Sequence, residues 1–143
     1  MRFWDSSSIV PLLVEEAASQ RTLETYQSDP SVVVWWATEV ECVSALARLE
    51  REGTLEEAGF GDALDRLDAL SRAWQEIQPT SRTRQIAIRL LRVHPLRAGD
   101  AFQVASALTA AEGEPASLPI VTLDERLAGA ASREGFRVVI PTA

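Results

Sequence analysis

Residues 119–140 read PIVTLDERLAGAASREGFRVVI, and this stretch decides the fold class. A short apolar run at 119–122 is followed by a helical segment from Asp124 to Arg133. A turn at Gly135 then leads into a second apolar run at 136–140. A strand, a helix and another strand in so short a span are typical of parallel strands, because parallel neighbours need a crossover connection. This stretch therefore predicts an α/β protein with a parallel sheet.

The rest of the chain repeats the same alternation of strands and helices. Residues 2–4, 32–34 and 74–78 are predicted strands, and the segments between them carry helical patterns. One predicted helix start is Thr54, which precedes Glu57 by three residues and so predicts a capping box. Short apolar strands separated by helices predict a sheet covered on both faces. With 143 residues, the chain is expected to form a single domain, residues 1–143.

Composition limits the class of protein and its location. Apolar residues make up 46% of the chain, but no apolar run approaches the roughly 20 residues that span a membrane. The N-terminus lacks the basic and apolar stretches of a signal peptide. Cys42 is the only cysteine, which excludes an intrachain disulfide and a cysteine-based zinc site. These features predict a cytoplasmic protein without a membrane span.

The basic residues are all arginine. The formal net charge is −7, the 14 basic residues are all Arg, and the chain has no Lys. A Walker A phosphate loop and Schiff-base chemistry both need a lysine, so the sequence excludes these two kinds of site.

Four carboxylates are candidate functional groups, and three of them occupy positions where the sites of parallel sheets gather. Asp5 follows the first predicted strand, Asp124 follows the strand at 119–122, and Asp100 is predicted to open a helix. Glu41 lies in the first turns of the helix that follows 32–34. Taken singly, the aspartates are explained as helix caps or turn residues, and the glutamate as a solvated charge. Converging carboxylates repel each other unless a cation joins them, and Mg²⁺ or Mn²⁺ favours such oxygen ligands.

Spacing alone leaves open which glutamate belongs to this set. Glu39 is four residues before Val43 and seven before Leu46, on the apolar face of the predicted helix. Glu41 lies beside the small residue Ser44, which leaves room for a metal ion and a phosphate.

Four motifs in order carry a resemblance to a known family: DSSSIV at 5–10, ECVSALAR at 41–48, LRAGDAFQVASAL at 96–108 and VTLDERLA at 121–128. The chain resembles PIN-domain proteins, and more narrowly the VapC-type toxins of bacterial and archaeal toxin–antitoxin pairs. The resemblance spans nearly the whole chain and selects Glu41 over Glu39. It implies a three-layer α/β/α sandwich around a parallel sheet.

The resemblance also implies the site and its partners. The implied catalytic and metal-binding set, for Mg²⁺ or Mn²⁺, is Asp5, Glu41, Asp100 and Asp124. Thr122 matches a small hydroxyl residue that supports the metal site, and Ser7 matches a hydroxyl position near Asp5. The implied activity is endoribonuclease hydrolysis of RNA by a toxin, with a cognate antitoxin as a partner and a homodimer as the assembly.

Two other functions compete with this one. A PIN fold that has lost catalysis would act only as a protein-interaction module, and the four filled acidic positions count against it. A phosphatase or a DNA nuclease on a similar sheet is the third alternative, because a preference for the 2′-OH is not legible in these residues.

An arginine-rich segment is the candidate RNA-binding surface. Residues 77–99 contain five Arg and no Asp or Glu, so this segment carries +5 and the rest of the chain −12. Because Arg binds phosphate bidentately and stacks on bases, the candidates are Arg82, Arg89, Arg92 and Arg97. The alternative is a solvated helix face paired with acidic residues elsewhere. His94, the only histidine, is expected to cap the carbonyls at the end of the helix that is predicted in this segment.

Overall fold

The computed structural model describes residues 1–142, which form five strands and seven α-helices. Their order is β1 (Arg2–Trp4), α1 (Ser6–Leu13), α2 (Ser19–Ser28), β2 (Val32–Trp35), α3 (Thr38–Arg51), α4 (Glu57–Ala73), β3 (Gln75–Ile77), α5 (Ser81–Val93), α6 (Ala98–Ala110), β4 (Ile120–Val121), α7 (Glu125–Arg133) and β5 (Val138–Val139). The strands form one sheet in the order β3-β2-β1-β4-β5, and every neighbouring pair is parallel. The predicted parallel α/β fold is confirmed.

The sheet separates two apolar cores, because successive side chains of a strand point to opposite faces. Phe3 and Ile120 pack into a core shared with α5, α6 and α7. Trp4 and Val121 pack into the other core, shared with α1, α3 and α4. Both faces of the sheet are therefore covered by helices, as the predicted α/β/α sandwich requires. In residues 1–142, no helix combines the length and the apolar character that crossing a membrane requires.

The strand order reverses at β1. From this central strand the chain first builds β2 and β3 on one side, and then returns to add β4 and β5 on the other. In open parallel sheets, ligands bind outside the carboxyl ends of the strands at such a switch point. Phe3 pairs with Ile120 and Trp4 with Val121, so the residues that follow β1 and β4 emerge side by side.

Two predicted helix starts are wrong. Helix α4 begins at Glu57 after Glu56, and the Thr54 backbone N–H instead donates to the Leu49 carbonyl, because Gly53 turns the end of α3 with φ +78°. Helix α6 begins at Ala98 rather than at residue 100.

His94 caps the end of α5 as predicted, because its backbone N–H donates to the Leu90 carbonyl at 2.9 Å, but its side chain makes a tertiary contact that the sequence did not predict. Its buried ring places Nε2 2.6 Å from a carboxylate oxygen of Glu134, at the end of α7. Arg89 donates to the other oxygen of the same carboxylate at 2.8 Å. This group joins the ends of α5 and α7, because only tertiary packing brings residues 40 and 45 positions apart into contact.

Candidate active site

Asp5 lies at the centre of the site, directly after β1, and is only 3% exposed. Its Oδ2 accepts hydrogen bonds from the Ser7 hydroxyl and, at 2.8 Å, from the Thr122 hydroxyl. Its Oδ1 has only a long contact, 3.5 Å, from the Ser6 hydroxyl. One carboxylate oxygen is therefore anchored within the fold, and the other is left with bonding capacity.

The backbone around β4 fixes both hydroxyls that hold Asp5. Ser7 Oγ accepts the Leu123 N–H at 3.0 Å, and Thr122 Oγ1 accepts the Asp124 N–H at 3.0 Å. Because each hydroxyl accepts from a backbone amide, its own proton is free to point at Asp5. The predicted supporting residues Ser7 and Thr122 thus lie in contact with the carboxylate that they were expected to support.

Asp124 and Asp100 reach the site from the first turns of two helices. Asp124 caps α7, and its Oδ1 accepts the Leu127 N–H at 3.0 Å. Asp100 lies in the first turn of α6, where Oδ2 is 3.4 Å from the Arg97 backbone nitrogen. Both aspartates therefore make the contacts that are expected of helix-capping residues. Each contact uses only one oxygen of the carboxylate, so the other oxygen remains available.

Glu41 reaches the site from the first turn of α3. Its half-buried side chain places Oε1 2.6 Å from Gln103 Nε2 on α6. Its Oε2 lies next to Gly99, where a Cβ would come within 3.4 Å of it. Glu39, the alternative by spacing, is exposed.

The four carboxylates interact electrostatically. Burial raises the pKa of Asp5 despite its hydrogen bonds, and the charges of Asp124 and Asp100 raise it further. Burial also raises the pKa of Glu41 to about 7, with additional contributions from Asp5 and Asp100. Partial burial and the charge of Asp124 raise the pKa of Asp100, against the opposing effect of Arg97 and Arg126. The structure thus brings all four predicted acidic residues into one electrostatic cluster.

This donor set fits a hard divalent cation. Carboxylates that lie close together are stabilised by a nearby positive charge, and their oxygens are the ligands that Mg²⁺ and Mn²⁺ prefer. Within residues 1–142, no three acidic, histidine or cysteine side chains converge tightly enough to form a ready-made metal cage.

Sequence reasoning missed two residues near the cluster. Gln103 is buried and contacts Glu41, and Arg126 lowers the pKa of Asp100 through its positive charge. A signal for Gln103 existed, because it is an amide in an apolar helix, three residues after Asp100 and so on the same helix face. Arg126 lies two residues after Asp124, but only the fold shows that its charge acts on Asp100.

The predicted RNA-binding arginines differ in their surroundings. Arg97 precedes α6 and acts on Asp100, so it lies close to the acidic cluster. Arg82 and Arg92 are exposed on α5. Arg89 is engaged by Glu134, so a phosphate would have to compete with that ion pair.

Comparison with known proteins gives two clear sequence relatives. No protein-family model matches the sequence. The chain is 31% identical to ribonuclease VapC45 of Mycobacterium tuberculosis (strain CDC 1551 / Oshkosh) over 136 residues, which cover 95% of this chain and 92% of the relative. The same figures hold for ribonuclease VapC49 of Mycobacterium tuberculosis (strain ATCC 25618 / H37Rv).

Solved structures share the fold at lower sequence identity. FitAcB from Neisseria gonorrhoeae has a TM-score of 0.68 and 18% identity, and the match covers 99% of this chain and 98% of that one. A toxin–antitoxin complex from Klebsiella pneumoniae has a TM-score of 0.69 and 15% identity, with the same coverage. These structures show that the fold is shared. The 31% identity over 95% of the sequence shows that the chain belongs to the family of VapC ribonucleases.

Proposed function

We propose that this VapC ribonuclease hydrolyses RNA phosphodiester bonds as an endonuclease, with Mg²⁺ or Mn²⁺ bound by Asp5, Glu41, Asp100 and Asp124. One observation carries the proposal: carboxylates from four separate segments lie near the switch point of the sheet, where burial and neighbouring negative charges raise the pKa of Asp5, Glu41 and Asp100. Maintaining such repulsion costs stability, which is expected where a cation and a phosphate bind.

The side chains of the site have different roles in the proposed reaction. A divalent ion, when bound, neutralises charge on the phosphate and lowers the pKa of water. Ser7 and Thr122 hold one oxygen of Asp5 and leave the other to face the ion. Asp100 and Asp124 add negative charge from two helix starts. A carboxylate of the set that does not touch the ion orients the attacking water and accepts its proton.

The direct test uses protein purified free of any partner. The parent should cleave RNA with Mg²⁺ or Mn²⁺, and chelation should stop the cleavage. Asp5→Asn keeps the size of the side chain but removes its charge, so cleavage should fall by roughly 100-fold or more. Equal cleavage by the two proteins would reject the proposed site. DNA and a phosphomonoester in the same assay would reveal a DNA nuclease or a phosphatase.

We also propose that an antitoxin inhibits the enzyme by covering the acidic cluster. Structural neighbours include a toxin–antitoxin complex, and the hairpin of α3 and α4 offers a surface for such a partner. RNA and antitoxin would both meet this protein in the cytoplasm. Saturating antitoxin should stop RNA cleavage, and continued cleavage in the complex would contradict inhibition.

A homodimer is the proposed assembly. Ile88, Leu91 and Val93 on α5 are exposed apolar side chains, which is the surface that self-association would bury. Sedimentation should give a dimer for the parent and a monomer for Leu91→Asp. A monomeric parent would exclude this assembly.

A further inference from the structure

Gln103 is a buried amide that the family comparison leaves without a role. It is 1% exposed, and its neighbours on α6, Ala101, Val104 and Ala105, are fully buried and apolar. Burying an amide is costly unless its hydrogen-bonding groups find partners. An apolar side chain at position 103 would be buried at a lower cost in free energy than this amide. The presence of glutamine there therefore points to a functional role.

The contacts of Gln103 lead to the acidic cluster. Nε2 donates to the Thr38 hydroxyl at 3.1 Å and to Glu41 Oε1 at 2.6 Å, so both amide protons are used on α3. Oε1 of the same amide is buried and has no hydrogen bond within residues 1–142. The amide thus donates both of its protons to α3, while its own Oε1 accepts no hydrogen bond.

This geometry fixes one oxygen of Glu41 and leaves the other near the first turn of α6. Oε1 is bound by Gln103, while Oε2 lies beside Gly99, next to Asp100 in sequence. We propose that Gln103 is a positioning residue that holds Glu41 so that Oε2 faces the metal ion. The inference rests on the proposed metal-dependent function, because Gln103 would orient Glu41, which is one of the proposed ligands of the metal ion.

Mn²⁺ affinity, measured by electron paramagnetic resonance at pH 8, tests this role without using RNA cleavage. Gln103→Met keeps the unbranched shape but removes both donors, and Gln103→Leu is the second variant if the first does not fold. Losing a group that orients a metal ligand weakens binding by about 10-fold or more. Ser106→Ala is the matched control, because Ser106 is buried on the same helix and bonds only to the Phe102 carbonyl. It should stay within about twofold of the parent.

A second measurement separates positioning from general damage to packing. In a Glu41→Ala background, Gln103→Met should have no further effect on Mn²⁺ affinity, because its action passes through Glu41. Parent-like affinity of Gln103→Met, an equal loss in Ser106→Ala, or an undiminished loss in the Glu41→Ala background would each overturn the inference while leaving the metal site intact. A parent that binds no Mn²⁺ would overturn the proposed function and this inference together.

Discussion

The Thr122 hydroxyl donates a 2.8 Å hydrogen bond to Oδ2 of Asp5, across the carboxyl ends of two adjacent strands. The two residues are 117 positions apart in sequence, and the parallel pairing of β1 with β4 brings them together. Both are buried, so the bond forms where water does not compete. The position of the central carboxylate is therefore fixed by the sheet itself.

Removing this hydroxyl should weaken both the fold and the site. Thr122→Val leaves a buried carboxylate with one hydrogen bond fewer and the Asp124 N–H without its acceptor. The unfolding free energy should fall by about 1–3 kcal/mol, and RNA cleavage by at least about 10-fold. Thr122→Ser keeps the hydroxyl and should retain most of both. Chemical denaturation and a cleavage assay would check this, and equal behaviour of the two variants would assign the effect to packing alone.

The choice between the two glutamates of α3 can be tested by matched substitutions. Glu41→Gln should reduce RNA cleavage by roughly 100-fold, because it removes a charge from the acidic cluster. Glu39→Gln makes the same chemical change at an exposed position on the same turn and should stay within about twofold of the parent. The reverse pattern would assign the site to Glu39.

The raised pKa of Glu41 predicts how stability depends on pH in metal-free protein. Folding raises this pKa from about 4.5 to about 7, so the folded protein holds the proton more tightly than the unfolded chain. The resulting stabilisation is complete below about pH 4.5 and is lost as the pH rises through about 7. Glu41→Gln should therefore be more stable than the parent at pH 8, by about 1–2 kcal/mol after allowance for solvent screening, and no more stable at pH 4.

Denaturation in the presence of a chelator, at pH 4 and pH 8, would measure this difference. Saturating Mn²⁺ at pH 8 should reduce the advantage of the variant, because the ion binds the parent's four carboxylates more tightly than the three that the variant keeps. An advantage that is constant with pH would show that the ionisation of Glu41 is not its cause.

Arg97 should contribute to RNA binding more than an arginine further along the basic segment. Its charge acts on Asp100, which places it close to the acidic cluster where the phosphate is proposed to bind. In an Asp5→Asn background that prevents cleavage, Arg97→Ala should weaken RNA binding and lower the salt dependence of affinity by about 0.7 in log–log slope. Exposed Arg84 is the control, and Arg84→Ala should change both quantities less. Fluorescence anisotropy at several salt concentrations gives both; equal slopes would exclude a phosphate contact at Arg97.

The sequence by itself determined the elements and their order. Short β-branched and apolar runs such as 32–34 are buried on both faces, and that pattern is a local property of the chain. It also singled out Asp5, Asp100 and Asp124, because a carboxylate next to a strand end or at a helix start can be recognised from the order of residues alone. Its error at Thr54 arose because the turn at Gly53 gives the Thr54 N–H a local partner, the Leu49 carbonyl. The contact of the His94 ring with Glu134 was not predicted, because the two residues are 40 positions apart in sequence.

Only the tertiary structure decided which of these groups act on one another. Spacing left Glu39 and Glu41 open, whereas the packing of α6 against the start of α3 buries Glu41 against Gln103 and leaves Glu39 in solvent. The raised pKa values likewise depend on burial and on distances between segments. Periodicity records which face of a helix is apolar, but the electrostatic environment of a side chain is set by everything that surrounds it in space.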